Sequence, residues 1–157
     1  MNTLHEVDVE ADTEVPIIRI RREFSATPAQ LMTAHTDPTL FARWVGPDNM
    51  KIEILEWDAR NGGCWRYTAR GDDEYRFRGC FHTIAEHEIV QTFTFEGLPD
   101  DVSLQTLRFE DLGEGRTRLH VQSLVDSFSG RDAWLASGMK TGLTQGYAKL
   151  DKILGEL

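Results

Sequence analysis

The stretch RDAWLASGMKTGLTQGYAKLDKILGEL, residues 131–157, places Leu135, Met139, Leu143, Leu150, Ile153, Leu154 and Leu157 at three- and four-residue spacing, the period of one helical face. Read as one long amphipathic helix, it needs an apolar partner, because a lone helix gains too little from its own hydrogen bonds to persist in water. Gly138, Gly142 and Gly146 recur every four residues and so stack along one line of that helix. Each costs about 1 kcal/mol against alanine in a helix interior. Two reasons for accepting the cost stay open: close approach of the helix backbone to sheet aromatics, or a hollow beside the helix that takes an apolar ligand.

The partner surface is found upstream. Short strands are predicted over 50–58, 64–70, 75–86, 88–96, 102–111 and 115–125, separated by Asn61-Gly62-Gly63, Gly71-Asp72-Asp73, an Ala85-to-Glu88 break, Gly97-Leu98-Pro99-Asp100 and Gly113-Glu114-Gly115, all compositions of tight turns. Connections this short pair successive strands antiparallel. Alternation puts Trp65, Tyr67 and Ala69, then Tyr75, Phe77, Gly79 and Phe81, then Phe93 and Phe95 on one face, with Arg66, Arg70, Arg76, Arg78 and His82 on the solvated other. The helix must cover the aromatic face.

Before these strands, IIRIRREFS (17–25) reads as a further strand with Ile18, Ile20, Arg22 and Phe24 on one side. Thr27-Pro28 and Asp37-Pro38 each pair a cap residue with proline at the first helical position, opening short helices to about His35 and to Trp44. The expected fold class is therefore α+β: a seven-stranded curved antiparallel sheet with two short helices and a long C-terminal helix.

The chain has 157 residues and a formal charge of −9, enough for one domain and one core. Residues 1–15 carry Glu6, Asp8, Glu10, Asp12 and Glu14 and no basic residue, so the rest, 21 acids against 17 bases, sits near −4. An acidic flexible leader (1–15) ahead of a domain (16–157) is expected. No basic field is present for nucleic acid. No apolar run approaches the roughly 18 residues of a membrane span, and the first residues lack a signal peptide's basic start and apolar core, so a cytoplasmic location is expected. Cys64 and Cys80 are too few for a disulfide scaffold and lack zinc spacing. They are read as reduced thiols that a hairpin around Gly71-Asp72-Asp73 would bring nearly opposite each other.

Catalytic templates are absent: no GxSxG, HExxH, GxxxxGK[ST] or GxGxxG stands in the sequence. His5, His35, His82, His87 and His120 are scattered without metal-ligand spacing. No catalytic residue, metal ligand or cofactor is assigned, and the protein is read as leaning away from an enzyme. Polar residues at inward or rim positions are more informative: Arg22, His35, Trp44 and Gln105. Arg22 would anchor a ligand carboxylate or pair with a buried acid such as Asp58, and the ion pair is favoured.

Four segments in order, REFSATPAQLMTAHTDPTLFARWVGP (22–47), EWDARNGGCWRY (56–67), YRFRGCF (75–81) and SGMKTGLTQGYAKLDKIL (137–154), resemble the bacterial proteins similar to the C-terminal domain of the activator of heat-shock protein 90 ATPase. That family lies in the START-like, or SRPBCC, superfamily. The resemblance implies a helix-grip fold with an elongated cavity between sheet and C-terminal helix for a small apolar molecule. Where the family usually has two tryptophans before Gly-Pro, the second is here Val45. The expected cavity residues are Arg22, His35, Trp44, Trp65, Tyr67, Tyr75, Phe77, Phe81, Phe93, Phe95, Gln105, Gly138, Met139, Gly142 and Leu143. Three readings follow: a binder of a hydrophobic or amphipathic molecule, a cochaperone-type module using the Arg-rich face or the acidic leader on a heat-shock protein 90 homologue, and a cofactor-free cyclase or hydrolase. A homodimer is left open. Superfamily members have many unrelated functions, so the fold alone does not choose.

Overall fold

The computed structural model describes residues 6–157; residues 1–5, His5 among them, lie outside the described residues. The elements in chain order are β1 (Asp8–Ala11), β2 (Ile17–Phe24), α1 (Pro28–Thr36), α2 (Pro38–Trp44), β3 (Lys51–Trp57), β4 (Cys64–Arg70), β5 (Glu74–Ile84), β6 (Glu88–Phe95), β7 (Ser103–Gly113), β8 (Arg116–Leu124), α3 (Phe128–Ala136) and α4 (Met139–Leu154). All strands join one antiparallel sheet in the order β1-β2-β8-β7-β6-β5-β4-β3. Its inner face packs on the helices, the helix-grip arrangement expected.

Local chemistry explains the helix starts. Thr27 Oγ1 accepts from the Gln30 N–H while the Gln30 side chain accepts from the Thr27 N–H, a reciprocal cap that satisfies two otherwise orphaned donors. Asp37 does double duty. Its own N–H donates to Thr33, closing α1, and its carboxylate accepts from the N–H groups of Thr39 and Leu40, opening α2. One residue thus turns the chain between two helices, which fixes where Trp44 enters the core.

Two expectations need correction. Eight strands are present rather than seven, because Asp8–Ala11, within the stretch read as a frayed leader, pairs with β2 from Asp8↔Arg21 to Ala11↔Ile18. Its acids answer arginines across the strands, with Arg21 bonded to both Asp8 and Glu10, and Val7 and Val9 pack against the core. The C-terminal helix is also two helices. Gly138 sits at φ +87°, ψ +17°, the left-handed region, and breaks the chain between α3 and α4. An L-residue there meets its own carbonyl, whereas glycine does not. Periodicity alone missed the break because apolar residues continue in phase across it.

The β4–β5 hairpin sets Cys64 directly opposite Cys80, with the sulfurs 3.1 Å apart on the outer face. The Cys80 N–H donates to Thr92 Oγ1 and the Cys64 carbonyl accepts from Asp58, so the two backbones do not bond each other there. Such non-hydrogen-bonded pairs bring strands to a Cα separation of roughly 4.5 Å, within the range a disulfide spans. Both thiols are reduced here, and hydrogen bonding to Cys80 pushes the Cys64 pKa up.

Two outcomes are expected. Gly138→Ala lowers stability by about 1 kcal/mol in urea unfolding, whereas a continuous helix would gain about as much from the same change. Oxidised dithiothreitol closes a Cys64–Cys80 bond, read as loss of both titratable thiols without dimer formation, and Cys80→Ser prevents it.

Candidate functional site

Tight packing holds α4 at its C-terminal end. A β-carbon on Gly146 would lie 3.0 Å from the Trp44 carbonyl oxygen, so α4 crosses the end of α2 almost backbone to backbone. Tyr147, Leu150, Ile153 and Leu154 are buried behind it. Of the three glycines read as one surface line, only Gly146 makes a close approach. Gly138 is the break, and a β-carbon on Gly142 would meet Pro47 at an ordinary 3.7 Å.

Arg22 is 4% exposed and donates two hydrogen bonds to the Asp151 carboxylate, at 2.6 and 2.8 Å. Its guanidinium also lies 4.5 Å from the centre of the Phe24 ring and 5.9 Å from that of Tyr147. The expected ion pair is present with a different acid: Asp58 instead accepts from Arg60 on the surface. A two-pronged buried pair of this kind neutralises Arg22 and ties α4 to β2.

His35 and Trp44 belong to the same packed end. The Trp44 indole donates to the Ala34 carbonyl and stacks 6.0 Å from Tyr147. His35 is enclosed by Trp44 and Phe109, and its Nδ1–H donates to the Leu31 carbonyl 2.8 Å away. Burial disfavours the charged ring and pulls its pKa from 6.5 down to about 4, against the raising effect of that hydrogen bond. Burial likewise raises the phenol pKa of Tyr67 and Tyr147.

The other end of the inner face is looser. Trp65, Tyr67 and Phe81 are buried, with Trp65 and Tyr67 stacked 5.6 Å apart. Beyond them Tyr75, Phe77, Phe93 and Phe95 are only half-buried, although they stand on paired strands. Phe77 links Phe93 at 5.4 Å to Phe95 at 5.5 Å, and Tyr75 lies 6.0 Å from Phe95. Trp134 of α3 stacks on Phe93 at 5.9 Å with 13° between the planes. Met139 and Leu143 on the first turns of α4 are half-buried and pack against the core. Gln105 faces inward and accepts from the Gln91 amide at 3.0 Å.

The fifteen expected cavity residues therefore divide. Arg22, His35, Trp44, Trp65, Tyr67 and Phe81 are buried, Gly138 is the break before α4, Gly142 lies on α4 without a close approach, and Tyr75, Phe77, Phe93, Phe95, Gln105, Met139 and Leu143 are half-buried. Two open surface hollows, about 290 Å³ beside Arg21, Glu23, Arg118 and His120 and about 350 Å³ beside Lys140, Thr141, Thr144 and Gln145, lie elsewhere. Trp134, Gln91 and Trp57 were missed. Trp134 is out of phase with the leucines counted on the helix. Trp57 turns inward because the β3–β4 register shifts between Ile54 and Glu56, which simple alternation does not foresee.

Charges on the outer face are mostly paired: Arg66 grips Glu96 with two bonds, Arg70 meets Glu53 and Glu74, and Glu23 holds Arg116 and Arg118. Among the described residues no cluster of three or more His, Cys, Asp or Glu is placed to hold a metal ion, and no helix is long and apolar enough to cross a membrane.

A curved antiparallel sheet gripping a C-terminal helix defines the START-like class. Within it, the sequence profile of the family described as Activator of Hsp90 ATPase homolog 1-like protein matches residues 25–155, and the chain belongs to that family. A crystal structure from Rhodobacter sphaeroides is 25% identical, covers 97% of this chain and 100% of its own, and has a TM-score of 0.86. A solution structure from Arthrobacter aurescens is 26% identical over 96% of this chain and 92% of its own, with a TM-score of 0.85. An HSP90 activator from Plasmodium falciparum shares the fold at 22% identity, covering 88% of this chain and 96% of its own, with a TM-score of 0.64. A comparison with curated proteins finds no match.

The burial of His35 has a measurable sign. Its folded pKa lies below the unfolded value, so its stabilising effect is complete above pH 6.5 and is lost as pH falls toward 4, where the unfolded chain takes up a proton that the folded one refuses. Urea unfolding should lose about 2 kcal/mol between pH 7 and pH 5, and His35→Gln should flatten that profile.

Proposed function

We propose that the protein binds a small hydrophobic or amphipathic molecule in the trough bordered by Phe77, Phe93, Phe95, Trp134, Met139 and Leu143. The observation that carries this reading is the half-burial of Phe77, Phe93 and Phe95 on the inner face of a paired sheet, with Trp134 of α3 stacked on Phe93. Aromatic surface left reachable inside a fold is favourable ground for an apolar guest. Covering about 200 Å² of it is worth roughly 5 kcal/mol before ordering costs.

A second reading rests on a different observation, the HSP90 activator among the structural relatives. In that reading a chaperone of the heat-shock protein 90 type meets the outer face around Arg76 and Arg78, and no guest is needed.

Native mass spectrometry with a library of lipids and aromatic compounds, followed by tryptophan fluorescence titration, tests the first reading. A bound adduct is expected, together with at least tenfold weaker binding in Met139→Glu, which puts a charge on the rim of the trough. No adduct and no change in emission across the library would exclude it. Capture of the chaperone that is abolished by Arg76→Glu with Arg78→Glu, and indifferent to Met139→Glu, would favour the second.

A further inference from the structure

The trough has a polar floor. Gln91 on β6, Gln105 on β7 and Ser123 on β8 occupy consecutive register positions, Gln91↔Gln105 and Gln105↔Ser123, all on the inner face. The next row on one side is Ile89, Leu107, Val121 and Ile20, wholly apolar and buried. A polar strip three strands wide is not what an apolar core needs, since each buried amide or hydroxyl costs free energy unless it is bonded.

These groups satisfy one another only in part. The Gln91 amide donates to the Gln105 side-chain oxygen, which leaves the Gln105 N–H groups and the Gln91 oxygen for something else. Ser123 is 1% exposed and its hydroxyl has no hydrogen-bond partner. The Trp65 indole N–H, also buried, has none either. That indole lies over Gly79, where a β-carbon would come 2.7 Å from Cε2, the ring carbon bonded to the N–H. The unused donors thus lie on the same inner face as Phe93.

Charge decides what kind of guest they suit. The two buried cations stand off this row and have their charge answered: Arg22, two inner-face positions along β2 from the partner of Ser123, bonds the Asp151 carboxylate through both terminal nitrogens with only its Nε unpartnered, and Arg131 bonds the Asp12 and Ile17 carbonyls and Asp132. An anionic head on this strip would lose its water and find no counter-charge, a penalty that neutral hydrogen bonds do not offset.

We propose that Gln91, Gln105 and Ser123 form the polar subsite of the trough, and that its guest is an uncharged aromatic or alicyclic molecule bearing a carbonyl or similar acceptor. Carboxylates, fatty acids among them, are discriminated against. The proposal rests on the ligand-binding reading above and specifies the chemistry of its guest.

Three fluorescent probes separate the alternatives: 6-propionyl-2-dimethylaminonaphthalene, a neutral ketone; 8-anilinonaphthalene-1-sulfonate, an anion; and diphenylhexatriene, a hydrocarbon. The ketone should bind at least tenfold tighter than either of the others. Gln105→Leu and Ser123→Ala should each weaken it about fivefold or more while leaving the hydrocarbon unchanged or tighter. Ser123→Ala removes an unbonded buried hydroxyl, so its melting temperature should hold or rise, which separates lost recognition from lost folding. Tightest binding of the anion, equal binding of all three, or a ketone affinity indifferent to both variants would overturn the subsite and leave the trough standing. Failure of every probe would overturn both.

Discussion

Backbone contact between two helices governs where everything else in this fold can go. Gly146 lets α4 rest against the Trp44 carbonyl, and the Arg22–Asp151 pair clamps the same helix to β2 one turn further on. With its C-terminal half seated this way, α4 buries Tyr147, Leu150, Ile153 and Leu154. Its first turns follow a glycine break rather than a continuous helix and are less deeply buried. Packing at one end and a reachable aromatic surface at the other are therefore two results of one constraint.

The inner face is correspondingly graded. Around Trp44, His35 and Phe109 the rings meet edge to face, and even the histidine is held neutral by lack of water. Toward Phe93 and Trp134 the rings stack but remain accessible, and amides replace aliphatic side chains beneath them. Close packing and accessible aromatic surface thus fall to different ends of the same sheet.

Much of this was legible from residue order. Turn chemistry located the strands from β3 to β8 to within about two residues, and the paired cap-proline signals located α1 and α2, because these are local rules acting over a few residues. The break at Gly138 was not legible: the leucine pattern keeps helical phase through it, and a glycine at φ +87° looks no different in sequence from one inside a helix. Nor was the partner of Arg22, since Asp151 lies 129 residues away and only the packing of α4 brings it near. Within the site, alternation correctly turned Gln105 inward, but its pairing with Gln91 depends on the β6–β7 register. The count of strands failed for a compositional reason. Asp8 and Glu10 give β1 the look of a tail, while Val7 and Val9 between them carry the buried face.

That short acidic strand bears on how copies of the molecule behave toward one another. Without it, β2, whose sequence is IIRIRREF, would end the sheet as an eight-residue edge rich in isoleucine, with open N–H and C=O groups able to template pairing with another chain. With it, that edge of the sheet is four residues long and carries the carboxylates of Asp8 and Glu10, both bonded to Arg21. Residues whose charge first suggested that they stand apart from the domain thus act as a selvedge, finishing one edge of the sheet with a short charged strand while β3 ends the other.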